Sequence, residues 1–329
     1  MKIPRRHFLH LAAGAAALPA MSRIAGAQAY PSRPITIVVP FPAGGGTDVP
    51  GRIIAERMRE SLGQPVIIEN VTGANGTLGT ARVARAAPDG YTLIVGGWST
   101  YVANGALYAL PYDLVNDFQP ISLVVTQPLL FVVKNGVPAN DLKGFITWLK
   151  ANPDKASLGH GGIGNMQHVV GVFFQKETGT RFQFVPYRGS GPAMQDLVAG
   201  QIDMMAADPV TALPQVRAGT IKAYAVTGKS RIPSAPNIPT ADEAGLSGFD
   251  ILTWNALFAP KGTPKDIIQK LNAAVVDALA DANVRKRLAE VGLDIPPRDQ
   301  QTPEALGALQ KADIQKWWPI IKAANIKQE

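Results

Sequence analysis

The sequence predicts an α/β protein of two domains, the second inserted into the first, with a ligand cleft between them. Three observations carry this prediction. Short β-branched runs alternate with helical patterns along the chain, the alternation is broken by a proline-rich stretch at residues 233–239, and two similar glycine-rich loops lie far apart in the sequence.

The first strand is Ile35-Thr36-Ile37-Val38-Val39, ended by Pro40, and a helical pattern follows over residues 50–62. The order repeats as Val66-Ile67-Ile68-Glu69, a helix over 76–87 and the buried run Tyr91-Thr92-Leu93-Ile94-Val95-Gly96, which predicts a parallel sheet. A second set opens with strand-like runs at 121–125 and 129–133, continues with helices near 142–151, 166–179 and 193–199, and takes strands from 182–186, 202–206 and 222–226. After the prolines, the apolar run 251–258 is the return crossing, and helices over 265–280, 283–291 and 303–324 complete the first domain. Domain 1 is therefore expected at 30–124 and 252–329, and domain 2 at 125–251. Two crossings joining two lobes form a hinge, a geometry suited to capture.

The first residues read as an export signal. Arg5 and Arg6 precede Phe8-Leu9 and an apolar run over 11–20 that is too short to span a bilayer, and Ala27-Gln28-Ala29 has the small-residue form of a cleavage site. The signal is expected at 1–29, and both the Sec and twin-arginine routes fit it. Removing its four basic residues takes the formal charge from +7 to +3. The remaining charges are scattered and form no basic stripe, so nucleic acid is excluded as a partner. The absence of cysteine removes disulfides, thiol catalysis and zinc–thiolate sites.

The clearest local signal is Pro40-Phe41-Pro42-Ala43-Gly44-Gly45-Gly46-Thr47-Asp48, between a strand and a helix. Glycine lets the backbone approach a ligand closely, and the helix start offers unpaired N–H groups to an oxyanion. Thr47 and Asp48 are both suited to capping that helix. There is no Walker lysine and no G-x-G-x-x-G spacing, which removes the usual nucleotide readings. A plain tight turn is the alternative.

The second loop, Gly159-His160-Gly161-Gly162-Ile163-Gly164-Asn165, also precedes a helix. Together the loops predict a clamp on a ligand carboxylate, with Thr47, Ser99, Thr100 and Asn165 beside the backbone donors. His168 lies on the first turn of the second helix without a triad or metal-ligand spacing, so neither a catalytic residue nor a metal is expected. Ser190 lacks the first glycine of a nucleophile elbow. Arg188 and Asp208 are candidate ligand contacts, each with a plainer reading as a solvated arginine or a helix cap. Trp98, Tyr101 and Trp254 are candidate cleft walls and favour a carboxylate with a bulky or aromatic body, whereas Trp317-Trp318 read as packing of the last helix.

In order, the first loop, Val66-Ile67-Ile68-Glu69-Asn70 with Gly73-Ala74-Asn75-Gly76, and Pro88-Asp89-Gly90-Tyr91-Thr92-Leu93 resemble the substrate receptors of tripartite tricarboxylate transporters, the Bug receptors. Gly164-Asn165-Met166-Gln167-His168, Val185-Pro186-Tyr187-Arg188-Gly189, Ala199-Gly200-Gln201-Ile202-Asp203 and Leu257-Phe258-Ala259-Pro260-Lys261-Gly262-Thr263-Pro264 extend the likeness almost to the end. The resemblance implies a type II-like periplasmic binding protein fold, ligand in the interdomain cleft, and no cofactor. It also implies a monomer in the periplasm that delivers a small organic acid to one large and one small integral membrane subunit. His160 stands where the family commonly has a small residue, and Trp98 where it often has a smaller polar one. The ligand thus stays open among dicarboxylates, tricarboxylates, aromatic acids, amino acids and amides. Two other readings are a sensor feeding a membrane kinase and, more remotely, a hydrolase using Ser190 or His168.

Overall fold

The computed structural model describes residues 30–324, so the expected export signal and its cleavage site lie outside the described residues. From Arg33 onward the chain forms two lobes within one unit. Lobe 1 begins with β1 (Ile35–Val39), α1 (Asp48–Leu62), β2 (Val66–Asn70), α2 (Thr77–Ala84) and β3 (Thr92–Gly97). β1 pairs parallel with both β2 and β3, and its apolar run is nearly continuous because helices cover both faces. Gly63 ends α1 in the left-handed conformation at φ 67°, donating its N–H to the Arg59 carbonyl. A π-helical turn over Ser99–Ala103 and the short α3 (Asn104–Leu107) then lead to the long β4 (Phe118–Pro128).

Lobe 2 holds β5 (Leu130–Lys134), α4 (Leu142–Ala151), β6 (Ser157–His160), α5 (Met166–Thr178), β7 (Gln183–Pro186), α6 (Ser190–Val198), β8 (Met204–Ala207), α7 (Pro209–Arg217) and β9 (Ile221–Val226). The chain returns as β10 (Leu252–Pro260), followed by α8 (Lys265–Ala280), α9 (Ala282–Glu290) and α10 (Pro303–Ala323).

The strand orders are β2-β1-β3-β10-β4 and β7-β6-β8-β5-β9. The first three strands pair parallel as expected, but both sheets are mixed. β10 runs antiparallel to β3 and β4, and β5 antiparallel to β8 and β9, because each strand arrives from the other lobe. The returning strand, wedged inside the first sheet, is the type II-like arrangement.

The first change of lobe falls at Leu129, not after Val124, because Val125-Thr126-Gln127-Pro128 continue β4 beside β10. The two crossings are tied together there. Leu129 N–H donates to Thr227 Oγ1 at 2.9 Å, Thr227 N–H to the Leu129 carbonyl at 2.8 Å, and the Thr227 hydroxyl to the Ile251 carbonyl at 2.6 Å. Lobe 1 is packed by aromatics: Tyr101 stacks on Phe258 at 3.9 Å, and Trp317 of α10 meets Trp98 edge-on at 5.2 Å.

Candidate ligand-binding cleft

A cavity of about 90 Å³ lies between the lobes, room for roughly six water-sized sites. Phe41, Gly45, Gly46, Thr47, Ser99, Thr253 and Asn255 reach it from lobe 1, Gly161, Asn165, Gln167, Ser190 and Asp208 from lobe 2, and Gln127 and Leu129 from the hinge. Among the described residues no lysine or arginine lines it, so attraction for an anion falls to backbone N–H groups and neutral polar side chains.

Those groups are present. No described residue accepts a hydrogen bond from the N–H of Gly45, Gly46 or Thr47, three consecutive donors at the start of α1. The loop is braced from behind, where Asp48, 1 % exposed, accepts from Gly44 N–H at 2.9 Å, Arg52 Nε at 2.8 Å and Asn70 Nδ2 at 2.8 Å. Asn255 Nδ2 donates to the Gly46 carbonyl at 2.9 Å, which ties the loop to β10.

Burial pushes the Asp48 carboxyl up, but the bonds from Arg52, Gly44 and Asn70 outweigh it and hold the group below the usual range. A lowered carboxyl stabilises the fold above its unfolded pKa, and that contribution is lost as pH falls through the lowered value. Asp48→Ala removes three bonds to a buried acceptor and is expected to cost about 2–3 kcal/mol at neutral pH. Chemical denaturation measures it, and a loss below about 0.5 kcal/mol would show that the loop holds its shape without the brace.

The second loop is anchored differently. Asn165 caps α5, its side chain accepting from His168 N–H at 2.9 Å, and Gln167 Oε1 accepts from Gly161 N–H at 2.8 Å. Across the cleft, Met166 N–H donates to Ser99 Oγ of lobe 1 at 3.1 Å. His160 and His168 stack at 4.5 Å behind the loop. His160 Nδ1 bonds the Gly162 carbonyl at 2.8 Å, and His168 Nδ1 accepts from Gly164 N–H at 3.0 Å. Burial lowers His160 to about 4, and burial with the charge of His160 lowers His168 to about 3. The ring pair is therefore neutral and supports the loop from within the lobe.

A third helix start, which the sequence reading passed over, also opens here. Gly189, Ser190 and Gly191 at the head of α6 line the cavity. The run fails as a nucleophile elbow, but a glycine on each side of a serine before a helix also signals close backbone approach. The Ser190 hydroxyl accepts from Gln167 Nε2 at 2.7 Å, and His168 is engaged with Gly164, so the two do not form a nucleophile–base pair. Gln127, Thr253 and Asn255 were also missed, because strand residues carry no motif.

Several expected contacts lie elsewhere. Gly44 and Asp48 shape the first loop, and neither they nor Ala43 line the cavity. Thr100 is fully buried against Gly96, and Tyr101 lies in the aromatic core. His160 ends β6 and does not belong to the loop, so it and His168 sit behind the cavity wall. Gly164 abuts Leu107 of lobe 1, while Gly162 and the exposed Arg188 line a neighbouring surface cavity that shares Phe41 and Gly161 with the main one. Trp254 faces away from the cavity because strand alternation turns Thr253 and Asn255 towards it, and its Nε1 donates to Asp313 at 2.8 Å. Trp98 backs the cavity floor with no exposed surface. Of the two expected indole walls, Trp98 borders the cavity and Trp254 does not.

Residues 51–326 match the model of the tripartite tricarboxylate transporter family receptor. The chain belongs to that family. The receptor is 41% identical to MatC from Rhodopseudomonas palustris with bound malate, covering 89% of this chain and 100% of that one at a TM-score of 0.84. The periplasmic binding protein BugD is 38% identical, with 91% and 100% covered and a TM-score of 0.86. The R. palustris protein Rpa4515 with adipate is 31% identical, with 91% and 99% covered and a TM-score of 0.86. This family consists of receptors, not enzymes.

Proposed function

We propose that this receptor is exported to the periplasm, captures a small carboxylate between its lobes and delivers it to a tripartite tricarboxylate-type membrane transporter. One observation carries the reading: the helix starts of α1, α5 and α6 converge on one interlobe cavity, with the N–H groups of Gly45, Gly46 and Thr47 uncommitted. A carboxylate there accepts from these groups and gains from aligned helix dipoles, without a cationic side chain. Ser99, Asn165 and Ser190 supply side-chain polar groups around it. Relatives of this architecture hold malate and adipate, which supports an organic acid as the ligand class.

A thermal-shift screen of mono-, di- and tricarboxylates on the mature protein tests the binding step. An acid at a hundred times its dissociation constant is expected to add about 2.7 kcal/mol. No shift with any acid would overturn the reading. Delivery is tested by co-purification with the large and small integral subunits, whereas recovery of a periplasmic kinase domain in their place would favour sensing.

A further inference from the structure

Among the described residues, the one charged side chain lining the cavity is an acid, Asp208. It is 4 % exposed, caps α7 by accepting from Thr211 N–H at 3.0 Å through Oδ1, and takes a bond from the Ser190 hydroxyl. Gln167 Nε2 lies 3.5 Å from Oδ2. Donors on its own lobe thus hold this carboxyl as an acceptor. Lobe 1 covers it with backbone and offers it no side chain, since the facing residue is Gly46, where a Cβ would stand 3.0 Å from Asp208 Cγ.

A second group has the same need. Gln127 on the hinge strand lines the same cavity at 4 % exposure, and its Oε1 is buried with no hydrogen-bond partner among the described residues. A buried acceptor left unpaired costs about 1–3 kcal/mol, so a ligand donor at this position is worth more than in water. A ligand that is only anionic brings further negative charge towards Asp208 and satisfies neither group. Burial raises the Asp208 carboxyl, against the opposing bonds from Ser190 and Thr211, and a donor on the ligand offsets that burial.

Resting on the carboxylate-receptor reading, we propose that Asp208 and Gln127 select small carboxylates that also carry a hydroxyl or ammonium group. The ligand carboxylate sits on the N–H groups of the first glycine loop, and a hydroxyl donates to one of these two acceptors whereas an ammonium can donate to both.

Matched acids that differ in one substituent test this by calorimetry. The sets are succinate, L-malate and L-aspartate; glutarate, 2-hydroxyglutarate and glutamate; and tricarballylate with citrate. In the set of fitting length, the hydroxyl or ammonium acid is expected to bind at least about tenfold tighter than the unsubstituted one. Which of the two leads identifies the donor. Asp208→Asn keeps the helix cap, and Gln127→Leu removes the amide at similar size. Each is expected to shrink the preference to about threefold or less, Asp208→Asn partly by improving binding of the unsubstituted acid through lost repulsion. A purely structural role would lower all affinities in parallel and leave the ratio intact. Equal binding of substituted and unsubstituted acids, or a ratio unchanged in both variants, overturns the inference while leaving the receptor reading standing. If no carboxylate binds at all, the receptor reading falls and takes the inference with it.

Discussion

Gly46→Leu is expected to weaken carboxylate binding by about a hundredfold or more while leaving the thermal transition of the ligand-free protein nearly unchanged. Gly46 belongs to the first loop, and a Cβ on it would lie 3.0 Å from Asp208 Cγ and 3.1 Å from Asp208 Cβ and Oδ1 on the opposite lobe. Asp208 is fixed as the cap of α7 and cannot step aside cheaply. The backbone at Gly46 lies outside the left-handed region, so a side chain there adds no local strain and each lobe folds as before. The conflict arises only when the lobes approach. Closed and open populations are thus shifted without loss of the fold, which separates this position from Gly189 and Gly164, whose φ of 143° and 76° would add strain of their own. Gly191→Ala is the control. Gly191 also lines the cavity, but a Cβ on it meets nothing within 4 Å, so affinity is expected to stay within about threefold. Calorimetric titration with the best-binding acid, beside thermal melts, reads both outcomes. Near-normal affinity in Gly46→Leu would mean that ligand binding does not require this closed contact.

What could be read from residues alone followed the strength of each local signal. β1 stands out because β-branched residues run without interruption, and β2 and β9 because apolar runs dominate despite Glu69 and Asn70 in one and Lys222 in the other. β6 does not, since Ser157-Leu158-Gly159-His160 is short and ends in loop-like residues, and only pairing with β7 and β8 makes it a strand. α7 escaped notice because Pro214 lies inside it, where a proline is normally a breaker. In the cleft, both glycine loops were legible as backbone-lined segments before helices, but the folded chain leaves the N–H groups of Gly45, Gly46 and Thr47 free among the described residues and commits those of Gly161, Gly164 and Met166 to Gln167, His168 and Ser99. Which side chains join them was not legible. Trp254 and Asn255 are adjacent on β10, and whether the indole or the amide meets the ligand depends on the register of β10 against β3 and β4. That register is a property of the folded sheet.

The buried histidine pair should make the ligand-free protein acid-sensitive well above the range of ordinary carboxylates. The sequence holds four histidines, and His7 and His10 lie in the expected signal, so His160 and His168 are the histidines of the mature chain. Both are held near 4 and 3, against an ordinary value of 6.5. Between those values the unfolded chain takes up protons that the native state refuses. Stability therefore rises with pH across that window and falls as pH drops from about 6.5 towards 4. From pH 7 to pH 5 the loss is expected to be on the order of 3 kcal/mol for the pair, or roughly 5–10 °C in Tm for a chain of this size. The carboxyls of Asp208, Asp294 and Asp313, which burial raises, act with the opposite sign because their native forms hold protons more tightly. The histidine contribution is isolated by comparing the pH dependence of the wild type with His168→Gln, which is expected to lose about half of the slope. Because the pair bonds Gly162 and Gly164 directly, protonation also removes support from the second glycine loop. Ligand affinity should fall in the same window, so capture at neutral pH and weakening in acid both follow from two neutral rings stacked behind a glycine turn. Equal melting temperatures at pH 7 and pH 5, with no difference between wild type and His168→Gln, would show that the pair is protonated without cost.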